Sequence, residues 1–296
     1  MNRAQVEHRR VARRAFPLAA ALLGALALAA PSPAAVTPRT AALQIALRDR
    51  GLYAGAVDGV LGPATVRALL RLQARAKINH TGRLDPATRR ALGRLGRHLP
   101  GTRTVTLGAS GWDVSWLEFM LAKRGFDPGR IDGRFDRQTK AAALGFARFA
   151  GIADRCHAHP SLFQALRRSK DQHSPLRLGW PLDGPVTRSF GIHGARLKTG
   201  IEVGVPFGTA IAAAHDGRVI FAGHKSSLGL VVMLKHSRGV VTVYGHLARI
   251  DARLGDTIPE GALLGLVGKT GRTDVPSLYF EVRVRGAAID PLSALR

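Results

Sequence analysis

The chain divides into stretches of helical and of strand-like periodicity. Between residues 40 and 168, apolar residues recur every three or four positions, which is the spacing of amphipathic helices. From residue 179 to residue 296, short runs of β-branched and aromatic residues are separated by glycine turns. The pattern therefore predicts a multidomain protein in which small all-α domains are followed by an antiparallel β-rich domain.

The helical half contains one unit that occurs twice at a constant spacing. In both copies an amphipathic helix ends at a glycine, a tight Asp-Gly turn follows, and a second and a third helix come after it. The matching positions are Asp58, Gly59 and Thr65 in the first copy and Asp132, Gly133 and Thr139 in the second. The repeat predicts two small three-helix bundles, over residues 40–99 and 104–168.

A polar segment separates the helical half from the strand-like half. Residues 169–178 contain serine, charged residues and Pro175, a composition typical of a linker. Beyond it, residues 278–285 alternate strictly between apolar and polar side chains, as a half-buried strand does. Residues 179–296 are therefore predicted to form a separate β-rich domain.

The first residues have the layout of a secretory signal peptide. Five arginines precede an apolar run from Phe16 to Ala30, and Ser32 and Ala34 supply the small residues of a cleavage site. The run is shorter than the roughly 20 residues that span a bilayer. We expect residues 1–34 to be removed, leaving no stable transmembrane anchor. The pair Arg13-Arg14 also resembles a twin-arginine export signal.

The composition narrows the possible partners. There are 44 Lys and Arg against 20 Asp and Glu, a formal net charge of +24, which attracts polyanions. Export to the periplasm, the cell wall or the medium excludes cytoplasmic nucleic acid as a partner. A single cysteine, Cys156, excludes an intramolecular disulfide. Cys156, His157 and His159 are predicted to form a loop and not a metal site, because the repeat aligns them with residues that are not ligands.

The first repeat carries a longer motif. Residues 43–73 read LQ..L...G.Y.G.VDG..GP.T..AL..LQ, which resembles the peptidoglycan-binding domain found in wall hydrolases. The resemblance implies a shallow groove for glycan or stem peptide in each copy, and hence peptidoglycan as a partner. The side chains of Asp58, Thr65, Asp132 and Thr139 are expected to cap turns and helices, so the binding belongs to the module as a whole.

The β-rich half resembles the lysostaphin/LytM-type zinc metallopeptidase domain. The resemblance rests on WP..G.V...FG at residues 180–191, YGHL at 244–247 and LYFEVR..G..IDP at 278–291. It implies zinc ligands from an H-x-x-x-D motif and from the second histidine of an H-x-H motif. It also implies two catalytic histidines, one in H-x-H and one in the YxHL stretch.

The family's site residues are largely replaced in this sequence. The first histidine and the aspartate correspond to Lys198 and Glu202, and the H-x-H positions to Ser277 and Tyr279; only His246 is retained. A lysine ammonium has no lone pair, and catalytic zinc normally takes three protein ligands. The sequence therefore predicts no catalytic residue, no metal and no cofactor, with Lys198 and Glu202 forming an ion pair. A zinc site would be possible only if His193 supplied a further ligand.

The replacements resemble those of the EnvC-type murein hydrolase activators, which share the lysine and the P-S-L-Y-F-E stretch at residues 276–281. Two features differ from that type. The histidine at position 246 is lacking there, and the long coiled coil that precedes those domains is absent here. The sequence thus predicts an exported peptidoglycan-binding protein whose inactive LytM-type domain activates a wall hydrolase such as an amidase. Two alternatives stay open, a zinc metalloendopeptidase with a non-standard site that cleaves peptidoglycan cross-links, and a non-regulatory wall-binding scaffold.

Overall fold

A computed structural model of the protein describes residues 35–153 and 157–296. The predicted signal peptide and Cys156 lie outside these residues. In the described ranges, no helix is both long enough and apolar enough to cross a membrane.

Helices make up the first half of the described chain. They are α1 (Pro38–Asp49), α2 (Pro63–Arg75), α3 (Pro86–Ala91), α4 (Trp112–Lys123), α5 (Arg137–Phe149) and α6 (Pro160–Arg168). Proline at the first helical position and side-chain caps fix several starts. Thr37, Asp85 and Asp136 each accept a hydrogen bond from a backbone N–H of the first turn. The prediction of a helical N-terminal region is confirmed.

The first helices of the two repeats, α1 and α4, form the centre of the helical region. They pack against each other, and every residue from Trp112 to Ala122 is buried. The prediction that these two helices are amphipathic is wrong, because each is covered on all sides. Trp112 and Phe119 of α4 share one apolar core with Leu43 and Leu47 of α1. The repeats therefore pack as one body, and two separate three-helix bundles are not confirmed.

The second half is built from antiparallel strands. They are β1 (Val186–Arg188), β2 (Gly191–His193), β3 (Arg196–Lys198), β4 (Ile201–Gly204), β5 (Ala210–Ala212), β6 (Gly217–Lys225), β7 (Gly229–Lys235), β8 (Val240–Ile250), β9 (Thr257–Ile258), β10 (Leu263–Val267), β11 (Ser277–Val284) and β12 (Ala287–Ile289). The main sheet has the order β1-β4-β11-β8-β7-β6-β9; β10 pairs with β5 and β8, and β12 with β11. The predicted antiparallel β-rich domain is confirmed.

Side-chain alternation along β11 separates the core of this domain from its cleft. Leu278, Phe280 and Val282 are buried in the apolar core beside Tyr244. The Tyr244 hydroxyl accepts a hydrogen bond from the Ala214 N–H at 2.9 Å, and burial raises the pKa of Tyr244 to about 12. The intervening residues of β11 point to the opposite face.

The β2–β3 hairpin fastens the two halves together. At its tip, the Gly194 carbonyl accepts from the Val57 N–H at 2.9 Å, and the Ala195 carbonyl from the Ile131 N–H at 2.8 Å. Leu197 of β3 is 7% exposed and belongs to the core of the helical region. The hairpin thus contacts both repeats while remaining part of the β-rich half.

The predicted linker, residues 169–178, is held at both of its ends. Arg124, the residue that follows α4, donates to the Ser169 hydroxyl at 2.6 Å and forms an ion pair with Asp171 at 2.7 Å. Leu178 is fully buried, and its N–H donates to the Ala294 carbonyl at 2.9 Å. The segment therefore follows a defined path between the two halves.

Candidate functional site

Neighbouring strands bring together several of the predicted site residues. Glu202 of β4 lies opposite Tyr279 of β11, and Tyr279 lies opposite Gly245 of β8. Residues opposite one another in antiparallel strands share a face of the sheet. The ring of His246, which follows Gly245, is 6.0 Å from the Tyr279 ring. We call the surface formed by Glu202, His246 and Tyr279 the cleft.

Lys198 does not complete the cleft in the predicted way. It lies in β3 opposite Gly191, with an exposed side chain. No ion pair joins it to Glu202 within the described residues, so the predicted Lys198–Glu202 pair is wrong. The reason is strand register, because Arg188 of β1 lies opposite Glu202 and its guanidinium donates to the Glu202 carboxylate at 3.4 Å.

Lys198 instead lines a cationic cavity of about 370 Å³, together with Arg188, Ser189 and His193. The His193 Nε2 lies 2.9 Å from the Ser189 carbonyl, so this nitrogen carries the proton and donates to it. This bond occupies Nε2 of His193, and within the described residues no group of three or more ligand side chains that could hold a metal ion includes this histidine.

Ser277, at the first H-x-H position, is fully buried. Its hydroxyl lies 3.4 Å from the Val275 carbonyl and 3.3 Å from the Thr273 hydroxyl. These contacts hold the start of β11 against the preceding loop. The residue acts there as a structural hydroxyl.

Tyr279 belongs to a hydrogen-bonded network that the sequence did not predict. Its hydroxyl donates to Glu281 Oε2 at 2.7 Å and lies 2.8 Å from the Thr199 hydroxyl. The Glu281 carboxylate, 1% exposed, is neutralised through Oε1 by Arg283 at 2.6 Å. Burial, and then the neighbouring Glu281 charge, raise the pKa of Tyr279 well above its ordinary value. The phenol is therefore held in its neutral form.

His246 keeps the geometry of a proton acceptor. Its Nδ1 lies 2.7 Å from the Thr270 carbonyl, so Nδ1 carries the proton and Nε2 retains its lone pair in the neutral ring. The residue is 2% exposed and has a φ of 66°, a left-handed conformation that is rare outside glycine. The surrounding strands therefore fix both the backbone and the ring of this residue.

The donor set at the family-aligned positions does not fit catalytic zinc. Lys198 offers no lone pair, Tyr279 is held protonated, and the Glu202 carboxylate is paired with Arg188. Across residues 35–153 and 157–296, no group of three or more His, Cys, Asp and Glu side chains is arranged to hold a metal ion. That the purified protein contains no zinc stays a prediction.

The predicted wall-binding residues support the turn after the first helix of each repeat. Gln44 connects three elements, because its Nε2 donates to Asp58 Oδ1 at 2.7 Å and to the Val60 carbonyl at 3.0 Å. Its Oε1 accepts from the Gly59 N–H at 2.9 Å. Gly59 has a φ of 76°, a left-handed conformation that glycine adopts without steric cost, and the turn therefore favours glycine at this position. Thr65 is buried nearby, 3.3 Å from the Gln44 amide nitrogen.

The second repeat has Glu118 at the position of Gln44. Glu118 Oε2 accepts from the Gly133 N–H at 2.7 Å, whereas Oε1 is buried without a hydrogen-bond partner in the described structure. Burial, with a contribution from the Asp132 charge, raises the pKa of Glu118 well above its ordinary value. Thr139 is buried and its N–H donates to the Asp136 cap. The repeat in the sequence aligns Glu118 with Gln44, but it does not indicate that the side chain at this position holds the Asp-Gly turn.

A groove of about 230 Å³ lies beside the turn of the first repeat. It is lined by Arg39, Leu61, Leu69, Arg83 and Leu84, which combine apolar surface with two cations. Leu61 is 49% exposed. This is the place where the resemblance predicts contact with peptidoglycan.

Comparison with known proteins finds one family match in each half of the chain. Residues 37–92 match the model of a peptidoglycan binding domain, and residues 196–291 match peptidase family M23. A DD-carboxypeptidase/endopeptidase of Neisseria meningitidis is 39% identical over 102 residues, which are 34% of this chain and 24% of that protein. The murein hydrolase activator EnvC of Escherichia coli is 36% identical over 114 residues, 38% of this chain and 27% of that protein.

The chain thus spans about a quarter of the length of these relatives. A crystal structure of an M23 peptidase from Pseudomonas aeruginosa is 37% identical, with a TM-score of 0.37, over 42% of this chain and 53% of that one. The family models place the wall-binding and peptidase-like segments in the order that the sequence predicts. The chain carries a peptidoglycan-binding domain followed by a domain of peptidase family M23.

Proposed function

We propose that the protein binds peptidoglycan through its helical region and that its M23 domain is catalytically inactive and activates a cell-wall hydrolase such as an amidase. The observation that supports the proposal is the set of side chains at the positions where the family has its metal ligands. An ammonium, a carboxylate paired with Arg188, and a phenol bonded to Glu281 occupy the positions of the metal ligands. The similarity to the murein hydrolase activator of Escherichia coli supports a regulatory role.

The proposal places the protein outside the cytoplasm, because peptidoglycan lies there. Export would use residues 1–34 as a signal peptide, followed by cleavage near Ala34. N-terminal sequencing of the protein recovered from the cell envelope tests this step. A mature chain that still begins at residue 1 contradicts it.

One alternative has an observation in its favour. His246 is retained, with its Nδ1 bonded to the Thr270 carbonyl, and the Neisseria relative is named a DD-carboxypeptidase/endopeptidase. A zinc metalloendopeptidase would, however, need ligands that the cleft does not present. A wall-binding scaffold without regulatory activity differs from the main proposal only in its effect on a hydrolase.

One experiment separates these functions. Metal content of the purified full-length protein is measured, and release of soluble fragments from purified wall is followed with the protein alone, with an amidase alone and with both. We expect no stoichiometric zinc, no release by the protein alone, and faster release by the amidase in its presence. Chelator-sensitive release by the protein alone supports the peptidase, and an unchanged amidase rate supports the scaffold.

A reconstructed site provides the positive control. The variant Lys198→His, Glu202→Asp, Ser277→His and Tyr279→His restores the family's ligand set beside His246. We expect it to bind zinc when the sheet geometry is retained. The variant with only the first two substitutions is the matched control, because it lacks the histidine of β11 that would complete three ligands.

A further inference from the structure

A cavity of about 400 Å³ lies where the helical region, the segment after α6 and the β-rich half meet. This volume is within the range of about 300–1,000 Å³ that is typical of ligand pockets. Its apolar lining includes Val36, which is 51% exposed, and the half-buried side chains of Phe190 and Ile192. No residue of the cleft lines this cavity, so it is a separate site.

Polar groups at the rim of this junction cavity have unused bonding capacity. Asp58 accepts from Gln44 and Val60 through Oδ1, and Asp290 accepts from the Leu292 N–H through Oδ1. Within the described residues, Oδ2 of both carboxylates has no hydrogen-bond partner. Lys123, also at the rim, has no ion pair there.

The charged side chains at the rim leave a small excess of negative charge. Asp171 is bound to Arg124 at 2.7 Å, so this pair adds no net charge. Asp58 and Asp290 then leave two carboxylates against the one ammonium of Lys123. In a chain with a net charge of +24, the junction cavity is therefore a local site that favours a cationic group.

We infer that the junction cavity binds a short zwitterionic peptide with apolar side chains. Its free ammonium would be placed at Asp58 and Asp290, its carboxylate at Lys123, and its side chains against Phe190 and Ile192. Each terminus then makes a charge-assisted hydrogen bond, which is stronger than a neutral one. This inference goes beyond the proposed function and does not depend on the state of the cleft.

Such a ligand would connect parts of the chain that are distant in sequence. Asp58 belongs to the first repeat, Lys123 to the second and Asp290 to the M23 domain. Because the ligand binds only the assembled junction, it stabilises the folded arrangement of both halves. Binding should therefore raise the unfolding temperature of the full chain.

The test uses the full-length protein and leucyl-leucine with free termini, measured by titration calorimetry. N-acetyl-leucyl-leucine lacks the ammonium, and leucyl-leucine amide lacks the carboxylate. We expect saturable binding of the free dipeptide, weakened about tenfold by N-acetylation and by Asp290→Asn. Lys123→Met should remove the difference between the acid and the amide. The matched control Asp274→Asn, which changes an exposed carboxylate elsewhere in the same domain, should bind normally.

Two results with the unmodified protein overturn the inference. One is the absence of saturable binding up to about 1 mM dipeptide. The other is equal binding of the free and N-acetylated forms. Ile192→Trp fills the cavity from the hairpin and should abolish binding, whereas unaltered binding by this variant also contradicts the assignment. Sedimentation with purified wall is measured in parallel, so that failure of dipeptide binding is distinguished from failure of the proposed wall binding.

Discussion

Tyr279 shows how a single replacement changes the chemistry of the cleft. Its hydroxyl connects Thr199 to the buried Glu281 carboxylate, with distances of 2.8 and 2.7 Å. Tyr279→Phe removes this hydroxyl while keeping the ring. Glu281 Oε2 then retains only the longer bond from Thr199, at 3.2 Å. We expect a loss of about 1–3 kcal/mol in the free energy of unfolding, measured by urea denaturation. An unchanged stability of Tyr279→Phe would contradict the role of the network.

Glu118 offers a stabilising substitution. In the first repeat the Gln44 amide donates to Asp58 and accepts from Gly59, whereas Glu118 Oε1 is buried without a partner. Glu118→Gln supplies the missing donor in the equivalent position. We expect the free energy of unfolding to rise by about 1–3 kcal/mol at neutral pH. Gln44→Glu is the reciprocal variant and should destabilise the first repeat. A less stable Glu118→Gln protein would contradict the comparison between the repeats.

The same carboxyl group predicts a pH dependence. The folded pKa of Glu118 is raised above its unfolded value, so the folded state binds this proton more tightly than the unfolded state does. The contribution of this group to stability is therefore complete below the unfolded value of about 4.5 and decreases as pH rises toward the folded pKa. Thermal unfolding of wild type and Glu118→Gln between pH 4 and pH 8 measures this. If the unfolding temperatures of the two proteins changed with pH in parallel, the predicted contribution of Glu118 would be contradicted.

At the residue scale, the family motif placed several residues correctly and missed their partners. It predicted that Glu202, Tyr279 and His246 share a site, because motif positions carry strand register with them. The motif did not predict the partner of Glu202 correctly. That partner is Arg188, which lies opposite Glu202 in β1. The spacing of residues along the chain does not show which residues lie opposite each other in neighbouring strands. The buried Glu281 was not predicted because alternation alone assigns β11 charges to an exposed face.

At the scale of elements, the β2–β3 hairpin is the main connection between the halves. Leu197 is 7% exposed and packs into the core of the helical region, although its strand belongs to the β-rich half. Leu197→Ala should cost about 2–4 kcal/mol, because the cavity left at this junction cannot fully collapse. Denaturation together with limited proteolysis of residues 169–178 measures the effect. Leu254→Ala, 71% exposed, is the control. Equal stability of both variants would contradict a connecting role for the hairpin.

Sequence periodicity identified most elements but not how they pack. The helices α2 and α5 have one apolar face, and their positions follow from the repeat. The helices α1 and α4 are buried on all sides, because each packs against the other repeat as well as its own. This packing is non-local, and therefore no pattern within one repeat predicts it.

The shared core determines how the whole molecule must be tested. Removing the β-rich half would expose the surface that Leu197 covers and would remove the partner of Gly125, whose carbonyl accepts from the Ala288 N–H at 2.9 Å. Loss of wall binding by such a fragment would then reflect damage to the helical region. Point substitutions in the full chain avoid this ambiguity.

Wall binding by the whole protein combines a local groove with a diffuse charge. Leu61 is 49% exposed beside Arg39 and Arg83, so Leu61→Gln should weaken sedimentation with purified peptidoglycan severalfold without changing the fold. Leu254→Gln is the matched control in the other half. Raising the salt concentration should weaken wild type and both variants, because the net charge of +24 acts through a Coulomb attraction that ions screen over about 10 Å at 0.1 M salt. The ratio of the amounts of wild type and Leu61→Gln that sediment with the wall should persist at high salt, because salt does not screen an apolar contact. A ratio that disappears there would mean that charge alone holds the protein on the wall.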